Sequence, residues 1–529
     1  MSIFAKTRPI RHLLAAVLLL PLLCACSSGN DDDSDAPEYP ADATEKYISL
    51  SIVVSTGNES TTRAPLGGEN GDGREAGFER ENKVTGITLM FYRDRAGINT
   101  DEETTIDFIG YFPVSEDSRE KAGTQFGDAK KDEVRYSTGP QPIGAGIDFS
   151  EKYHVIAVAN MNMTAEFRAN FSTVKEIRDY PIHSIYSGTS IGIDATNFVM
   201  SLEKDLEINF SEITPEKNGG KTVYKVEEPI HIERLAARVD FWMKGATYNT
   251  TLNGYEYSVE RADGTTSTDK FVLTAVTPFN LSNDDEYLIK RLTGDPASNW
   301  SDGKNIIYLA DERKTTEETP YNYVIDPHTT SKTANTLPDY MNTDDALDHF
   351  LNAESSTYGS KKLLLENLRG SNEKGESPKF SYTEGGATAD NIIICYPKEN
   401  TLWESSPLYY YATGLCIEGY YYKSDGSNPK KLTYYGFLRH QGEKDSESYD
   451  IYTGTSLEEV REKLLQNENT LQGDFPMNFG VVRNNIYRIS IDKITEKDPP
   501  DTPTPDPPTI TWRIMVKNWD VFEHKTIFM

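Results

Sequence analysis

Residues 46 to 56 read Lys-Tyr-Ile-Ser-Leu-Ser-Ile-Val-Val-Ser-Thr, and hydrophobic side chains occupy every second position from residue 48. On an extended chain these apolar positions share one face: Ile48, Leu50, Ile52 and Val54. The alternation predicts a β-strand with one buried face. Similar strand-like stretches recur along the chain. The sequence therefore predicts an all-β protein, built of two β-sandwiches with a few short helices.

The order of these stretches divides the chain into segments. The chain has 529 residues, enough for more than one domain. Residues 498–508 are so rich in proline that neither a helix nor a paired strand is expected there, which predicts an extended spacer. The predicted segments are a signal peptide (1–25), an acidic tether (26–45), a first strand (46–63), two domains (64–244 and 245–497), the spacer (498–508) and a C-terminal segment (509–529).

The amino terminus carries an export signal. Basic residues precede the apolar stretch Leu13–Leu23, which is too short to span a bilayer as an anchor helix. It ends in Leu-Cys-Ala-Cys at residues 23–26, which resembles a lipobox with a small residue before Cys26. Cys26 is the predicted lipidation site, and two or three acyl chains would anchor the precursor stably in the outer membrane. The acidic tether that follows resembles the surface-export signal of Bacteroidetes lipoproteins.

Several function classes are disfavoured by composition and motifs. A net charge of −29 repels phosphate backbones, so nucleic acid is not an expected partner. Residues 188–192 match the G-x-S-x-G pattern around Ser190, but no helical periodicity follows, as a nucleophile elbow requires. The histidines have no zinc-ligand spacing. We therefore expect no enzyme activity, no cofactor and no metal.

Two cysteines remain in the mature chain, Cys395 and Cys416, and both lie in strand-like stretches. An exported protein is free to form a disulfide. Sequence alone does not give the separation of the two residues, so two buried thiols are the alternative.

Several segments, in their order along the chain, resemble the fimbrillin family of Bacteroidales, the subunits of type V pili, and the minor (Mfa-type) subunits above all. They include residues 46–56, 84–92, 153–160, 232–239, 413–422 and 477–488. The resemblance implies two transthyretin-like β-sandwich domains. It also implies that an Arg-specific surface protease cuts after the first strand, and that the C-terminal segment of a neighbouring subunit fills the groove left behind.

The carboxyl terminus carries a pattern that fits such an exchange. After the spacer, apolar residues again alternate: Ile510, Trp512, Ile514 and Val516. They repeat the alternation of the four apolar residues of the first strand at the same period. We call each set of four alternating apolar side chains an apolar comb. The preferred cleavage site is Arg63, which follows the first strand in a Ser/Thr-rich stretch. Because Pro65 lies two residues downstream, Arg74 and Arg80 remain alternatives.

These observations predict a structural subunit of a cell-surface fimbria that supports adhesion. Its expected partners are copies of itself or related subunits, the Arg-specific protease, the outer membrane through the lipid anchor of the precursor, and host ligands. Among fimbrial roles a stalk subunit is favoured over a tip or anchor subunit. The alternative is an uncleaved, surface-anchored lipoprotein that binds a glycan or a host protein.

Overall fold

Strands make up nearly all of the regular structure in this computed structural model. The structure describes residues 46–54, 74–93, 104–114, 119–121, 134–143, 146–165, 172–188, 195–202, 206–218, 220–261, 263–282, 285–292, 324–332, 363–371, 375–402, 411–438, 453–454, 479–496 and 508–520.

In the described part of the chain, fifteen strands precede residue 235. They are β1 (Lys46–Ser49), β2 (Ser51–Val54), β3 (Arg74–Ala76), β4 (Gly86–Tyr92), β5 (Ile106–Pro113), β6 (Arg119–Lys121), β7 (Val134–Ser137), β8 (Gln141–Pro142), β9 (Lys152–Ala159), β10 (Pro181–Ile182), β11 (Met200–Leu202), β12 (Glu207–Asn209), β13 (Glu216–Asn218), β14 (Lys221–Lys225) and β15 (Ile230–Arg234).

Fifteen more strands follow. They are β16 (Arg238–Trp242), β17 (Thr247–Asn249), β18 (Gly254–Glu260), β19 (Thr266–Phe279), β20 (Glu286–Tyr287), β21 (Arg291–Leu292), β22 (Val324–Ile325), β23 (Leu363–Leu364), β24 (Lys379–Glu384), β25 (Ala387–Cys395), β26 (Gly414–Tyr422), β27 (Lys430–Phe437), β28 (Thr453–Gly454), β29 (Asn485–Thr495) and β30 (Thr509–Asp520).

Short helices interrupt the strands. The α-helices of the described residues are α1 (Glu79–Asn82) and α2 (Val174–Arg178), and 3-10 turns cover Phe210–Glu212, Thr329–Ser331 and Asn367–Arg369. Helix α2 begins where the sequence pattern Thr-x-x-Glu predicts a capping box: the Thr173 hydroxyl accepts from the Glu176 N–H, and the Glu176 carboxylate accepts from the Thr173 N–H. The sequence also predicts short helices over 343–351 and 456–465, and both ranges lie outside the described residues.

The first hydrophobic core is enclosed by strands from the amino-terminal half. Its larger sheet has the order β5-β4-β9-β11-β15-β2-β7-β6, and a smaller sheet has the order β13-β14-β1-β8. The continuous apolar strand β9 is central to the larger sheet and is buried from Tyr153 to Ala159 except at His154. Polar residues interrupt apolar ones more often in β5 (Ile106–Pro113), which forms the outermost described strand at one end of this sheet.

The second hydrophobic core is formed by residues from Ala237 onward, although some residues in that part of the chain, such as Ile393 and Ile486, belong to the first core. Its sheet has the order β24-β25-β16-β29-β18-β19-β26-β27-β28, and β30 pairs with β29. The prediction of an all-β protein with a few short helices is confirmed. The described residues all lie in one compact unit, Ala43–Met529, and the domain limits at 64, 244 and 497 remain predictions.

Candidate functional site: the first strand and the C-terminal strand

The first strand of the described chain is an interior strand with neighbours on both sides. Its first half, β1, pairs in parallel with β14 and antiparallel with β8. Its second half, β2, pairs in parallel with β15 and antiparallel with β7. The chain thus crosses from the smaller sheet to the larger one at Leu50, and each half is enclosed by two strands.

The backbone of this crossing point is hydrogen-bonded on both sides. The Ser49 carbonyl accepts from the Val226 N–H at 3.0 Å, and the Leu50 carbonyl accepts from the Thr138 N–H at 3.1 Å. The Leu50 N–H donates to the Thr138 hydroxyl oxygen at 3.3 Å. An interior position explains this pairing, because a buried backbone without partners would be strongly destabilising.

The predicted apolar comb of the first strand points into the first core. Ile48 and Ile52 are fully buried and Leu50 is 2% exposed. The side chain of Val54 lies outside the described residues. Burial of three such side chains contributes ~5–9 kcal/mol, at ~1.5–3 kcal/mol each. Removal of residues 46–54 would therefore leave an apolar groove with two unpaired strand edges, which is a site for a strand from another chain.

The C-terminal strand β30 is seated on its own subunit. It pairs antiparallel with β29 from Thr509 to Asn518. Ile510, Trp512 and Ile514 are 1%, 2% and 5% exposed and belong to the second core; the side chain of Val516 is not described. The two combs have the same period, as the sequence predicted, but they fill different cores.

Two contacts fit β30 closely to its neighbours. A Cβ atom added to Gly436 in β27 would lie 2.6 Å from the Trp512 ring, so only glycine at this position leaves room for the indole. At the spacer end, the Tyr434 hydroxyl donates to the Pro508 carbonyl at 2.6 Å. The indole N–H of Trp512 is buried, and no acceptor lies within hydrogen-bond distance of it in the described part of the chain.

A buried ionic network lies beside the opposite end of β30, and the sequence analysis missed it. The Arg238 and Arg488 side chains are completely buried, and both donate to Asp240. Both also donate to the Glu75 carboxylate, with Nη2–Oε1 distances of 2.7 Å. Arg238 reaches Glu81 in addition, at 3.1 Å. Part of this network is indicated by the sequence: Arg238 and Asp240 are two residues apart, so on a strand they share one face and can pair.

The electrostatics of this network favour ionised Glu75. Burial by itself would raise the pKa of Glu75, but hydrogen bonds and charges from Arg488 and Arg238 outweigh it and lower the pKa to about 2. The pKa of each arginine is raised, because the nearby carboxylates more than offset burial. Glu75 and the two arginines are therefore charged throughout the physiological pH range.

The three candidate cleavage residues differ in their surroundings. Arg63 lies outside the described residues. Arg74 opens β3, and its backbone pairs with Asn518 of β30. Arg80 lies in helix α1 with 11% of its side chain exposed, and its guanidinium stacks 4.7 Å from the Phe78 ring centroid. Since a protease binds its substrate as an extended strand, cleavage after Arg80 would require unfolding of the helix, and cleavage after Arg74 would require β3 to separate.

The remaining predicted residues stand as follows. Cys26, the signal peptide, the tether, Ser190 and residues 498–507 of the spacer lie outside the described residues.

Cys395 and Cys416 are buried thiols and form no disulfide. Burial raises the pKa of the Cys395 thiol, which keeps it protonated and unreactive. Within the described ranges, no helix has the length and apolarity to cross a membrane, and no group of three or more metal-ligating residues occurs.

No protein-family model and no curated protein matches the chain. Among solved structures, the tip fimbrial protein Mfa3 of Porphyromonas gingivalis, truncated at its C-terminus, is 10% identical; the match covers 90% of this chain and 100% of that one, with a TM-score of 0.37. A fimbrilin of Porphyromonas gingivalis W83 is 14% identical over 91% of this chain and 100% of its own, with a TM-score of 0.34.

A fimbrial assembly protein of Parabacteroides distasonis is 11% identical over 73% of this chain and 98% of its own, with a TM-score of 0.26. These three solved structures are fimbrial proteins of Bacteroidales, the class that the sequence resembles.

Proposed function

We propose that this protein is a surface subunit that assembles by exchange of β-strands between copies. More specifically, we propose a structural subunit of a cell-surface fimbria of the type V kind, which supports adhesion. The precursor is exported as a lipoprotein anchored through Cys26 in the outer membrane. An Arg-specific surface protease then removes the first strand, and the subunit enters the fimbrium.

One observation carries the proposal: the strand that cleavage would remove is an interior strand. Edge strands are lost with little consequence for the rest of a sheet, whereas an interior strand leaves two open edges and an empty apolar trough. Residues 46–54 fill such a place between β14 and β8 and between β15 and β7. They also end before Arg63, so one cut after that residue separates them from the rest of the chain.

The proposed donor is the C-terminal strand of a neighbouring subunit. Its comb, at Ile510, Trp512 and Ile514, has the spacing of the comb at Ile48, Leu50 and Ile52. Donation requires β30 to leave its own second core, where these side chains are buried. Exchange is then favourable only when the groove of the neighbour offers comparable burial, which explains why removal of the first strand must come before assembly.

Arg63 is the proposed cleavage site. Cleavage there would require neither unpairing of β3 nor unfolding of α1, in contrast to cleavage after Arg74 or Arg80. Among fimbrial roles we propose a stalk subunit, because the chain has both a removable first strand and a strand suited to donation.

The test treats the purified, unlipidated precursor with an Arg-specific endoprotease, followed by mass spectrometry and size-exclusion chromatography. The wild type should be cut after Arg63 and should form ladders or filaments. The Arg63→Lys variant should stay intact and monomeric, and the matched control Arg74→Lys should behave like the wild type. If the wild type is cut but remains a folded monomer with its first strand bound, strand exchange is refuted. That result would favour the alternative, an uncleaved surface lipoprotein that binds a glycan or a host protein.

A labelled peptide of residues 509–520 tests the donor directly. Deletion of these residues would also remove part of the second core, so complementation by a peptide is the sharper experiment. The peptide should bind the cleaved subunit after the first strand has been removed, and it should not bind the precursor, whose groove is filled. A variant peptide with Ile510, Trp512 and Ile514 replaced by serine is the control and should not bind either form. Equal binding of both peptides to the cleaved subunit would exclude the comb as the recognition element.

A further inference from the structure

Strand β3, the first described strand after Arg63, belongs to the sheet that contains β29 and β30, although the first strand lies in the first core. Strand β3 pairs in parallel with β30, in the register Arg74 to Asn518, Glu75 to Trp519 and Ala76 to Asp520. Strand β29 reaches only to Asn518 of β30. In the described chain, the last two residues of β30 therefore pair with β3 alone.

The position of this pairing matters because a strand leaves a sheet most easily from a free end. Strand β3 pairs with the carboxyl-terminal end of β30, at residues 518–520. The other end follows the spacer and is held by the hydrogen bond from Tyr434 to Pro508. If β30 separates from its own subunit starting at its carboxyl-terminal end, the pairing with β3 must break first.

Glu75 fixes β3 in this place. Its carboxylate accepts from both nitrogens of the Arg488 fork and from Arg238, and its side chain is only 16% exposed. Arg488 lies on β29, opposite Met515 of β30, so the carboxylate binds the same strand that pairs with β30. Two-pronged pairing of a carboxylate with a completely buried guanidinium is among the strongest side-chain contacts in proteins.

Residues Phe78 and Glu81 hold the rest of the segment. The Phe78 ring packs edge-on against Phe380, with 5.1 Å between the ring centroids. Glu81 is completely buried and accepts from Arg238 and from the Tyr396 hydroxyl. The segment 74–82 is thus held at several points by strands of the sheet that contains β29, and it would stay there after cleavage at Arg63.

We propose that residues 74–82 form a clamp, in which the Arg238–Arg488 pair is a binding site for the Glu75 carboxylate and the bound segment holds the end of β30 on its own subunit. The clamp retains the C-terminal strand until a neighbouring groove competes for it. The retention of β30 can be measured on the monomer alone; the further role of the clamp in delaying donation rests on the proposed function.

Hydrogen exchange on the uncleaved monomer tests the clamp. In Glu75→Gln we expect the amides of residues 518–520 to exchange about 10- to 100-fold faster than in the wild type, equivalent to ~1.4–2.8 kcal/mol at 1.4 kcal/mol per tenfold change. Faster exchange should spread to residues 513–517, while the amides of β9 in the first core stay unchanged. The variant should fold, because Asp240 and Glu81 still balance the charges of the two arginines.

The matched control is Glu384→Gln. The Glu384 carboxylate pairs with Lys517 of β30 at 2.6 Å, but 37% of the Glu384 side chain is exposed. Loss of this pair should therefore change the hydrogen exchange of β30 by less than about fivefold. If Glu75→Gln changes exchange at 518–520 no more than this control does, the clamp is refuted.

A cross-linked variant tests the role of the clamp in assembly and does not depend on whether Glu75→Gln folds. Ala76 and Asp520 are partners in the register of neighbouring strands, whose spacing of ~4.8 Å suits a disulfide. After cleavage, Ala76→Cys/Asp520→Cys should remain monomeric when oxidised and assemble when reduced. Equal assembly in both states would overturn the clamp. If neither state assembles and the cleaved wild type does not assemble either, the proposed function fails while the exchange result still tests the clamp.

Discussion

Replacement of Ile52 by alanine would show what the first strand contributes to the precursor. Ile52 is completely buried in the first core, and its register partners are Ile230 on one side and Tyr136 on the other. Such truncations cost ~2–5 kcal/mol, depending on how far the surroundings relax. Because strands on both sides hold the backbone in place, we expect about 3 kcal/mol. If the first core unfolds as a cooperative unit of ~150–250 residues, a loss of about 3 kcal/mol lowers its unfolding temperature by ~6–12 °C.

The assay is chemical denaturation of the precursor and of the cleaved, assembled protein. The control Ser49→Ala replaces a half-buried polar side chain of the same strand and should change the free energy of unfolding by less than ~0.5 kcal/mol. Once the first strand has been exchanged, wild type and Ile52→Ala should have the same denaturation midpoint, because residue 52 has left the subunit. A precursor loss below ~1 kcal/mol would contradict the burial argument. An assembled form destabilised as much as the precursor would show that the first strand remains in place.

Three further predictions concern the rest of the molecule. Gly436→Ala should lower the free energy of unfolding by ~1–3 kcal/mol, because the added methyl group collides with Trp512 of β30. In a Trp512→Ala background, chemical denaturation should show that Gly436→Ala has lost most of this effect. Burial raises the pKa of Glu286 to about 8, so the folded protein binds this proton more tightly than the unfolded chain does, and stability should fall as the pH rises from about 4.5 through about 8. Glu286→Gln should flatten that part of a plot of unfolding temperature against pH, and an unchanged slope would contradict the assignment. Cys395 and Cys416 are buried, so both should react with a thiol reagent only in denaturant; reaction in the native protein would contradict their burial.

The local structure of several elements follows directly from the sequence. The alternation in residues 46–54 predicts a strand with one buried face, and Ile48, Leu50 and Ile52 are buried. The pair Thr173 and Glu176 predicts the start of helix α2. Both predictions depend on neighbours within a few positions, where strand pleat and helix capping act.

The strand partners could not be predicted in the same way. Strands β2 and β15 are parallel neighbours, although about 180 residues separate them along the chain. Any strand with an apolar face could pair with any other of similar length, and the choice depends on how the whole core packs. The interior place of the first strand, which carries the functional proposal, is therefore a property of the tertiary structure.

The same limit applies to the C-terminal strand and to the clamp. Its comb at Ile510, Trp512 and Ile514 predicts a buried face, but not which core receives it. Arg488 and Glu75 are separated by 413 positions, and nothing local in either stretch indicates that they meet. Charged residues in a sequence usually indicate solvent, and only the packing around them shows that these are buried and paired.

By itself, then, the sequence determined the all-β class, the strand faces, the capped helix and the resemblance to fimbrial subunits. The tertiary structure decided that the first strand is enclosed on both sides, that the C-terminal strand rests on its own subunit, and that Glu75 binds Arg488 on the strand next to it. The physical reason is the range of the forces involved. Pleat, alternation and capping act over a few residues, whereas sheet order and buried ion pairs depend on contacts between residues hundreds of positions apart.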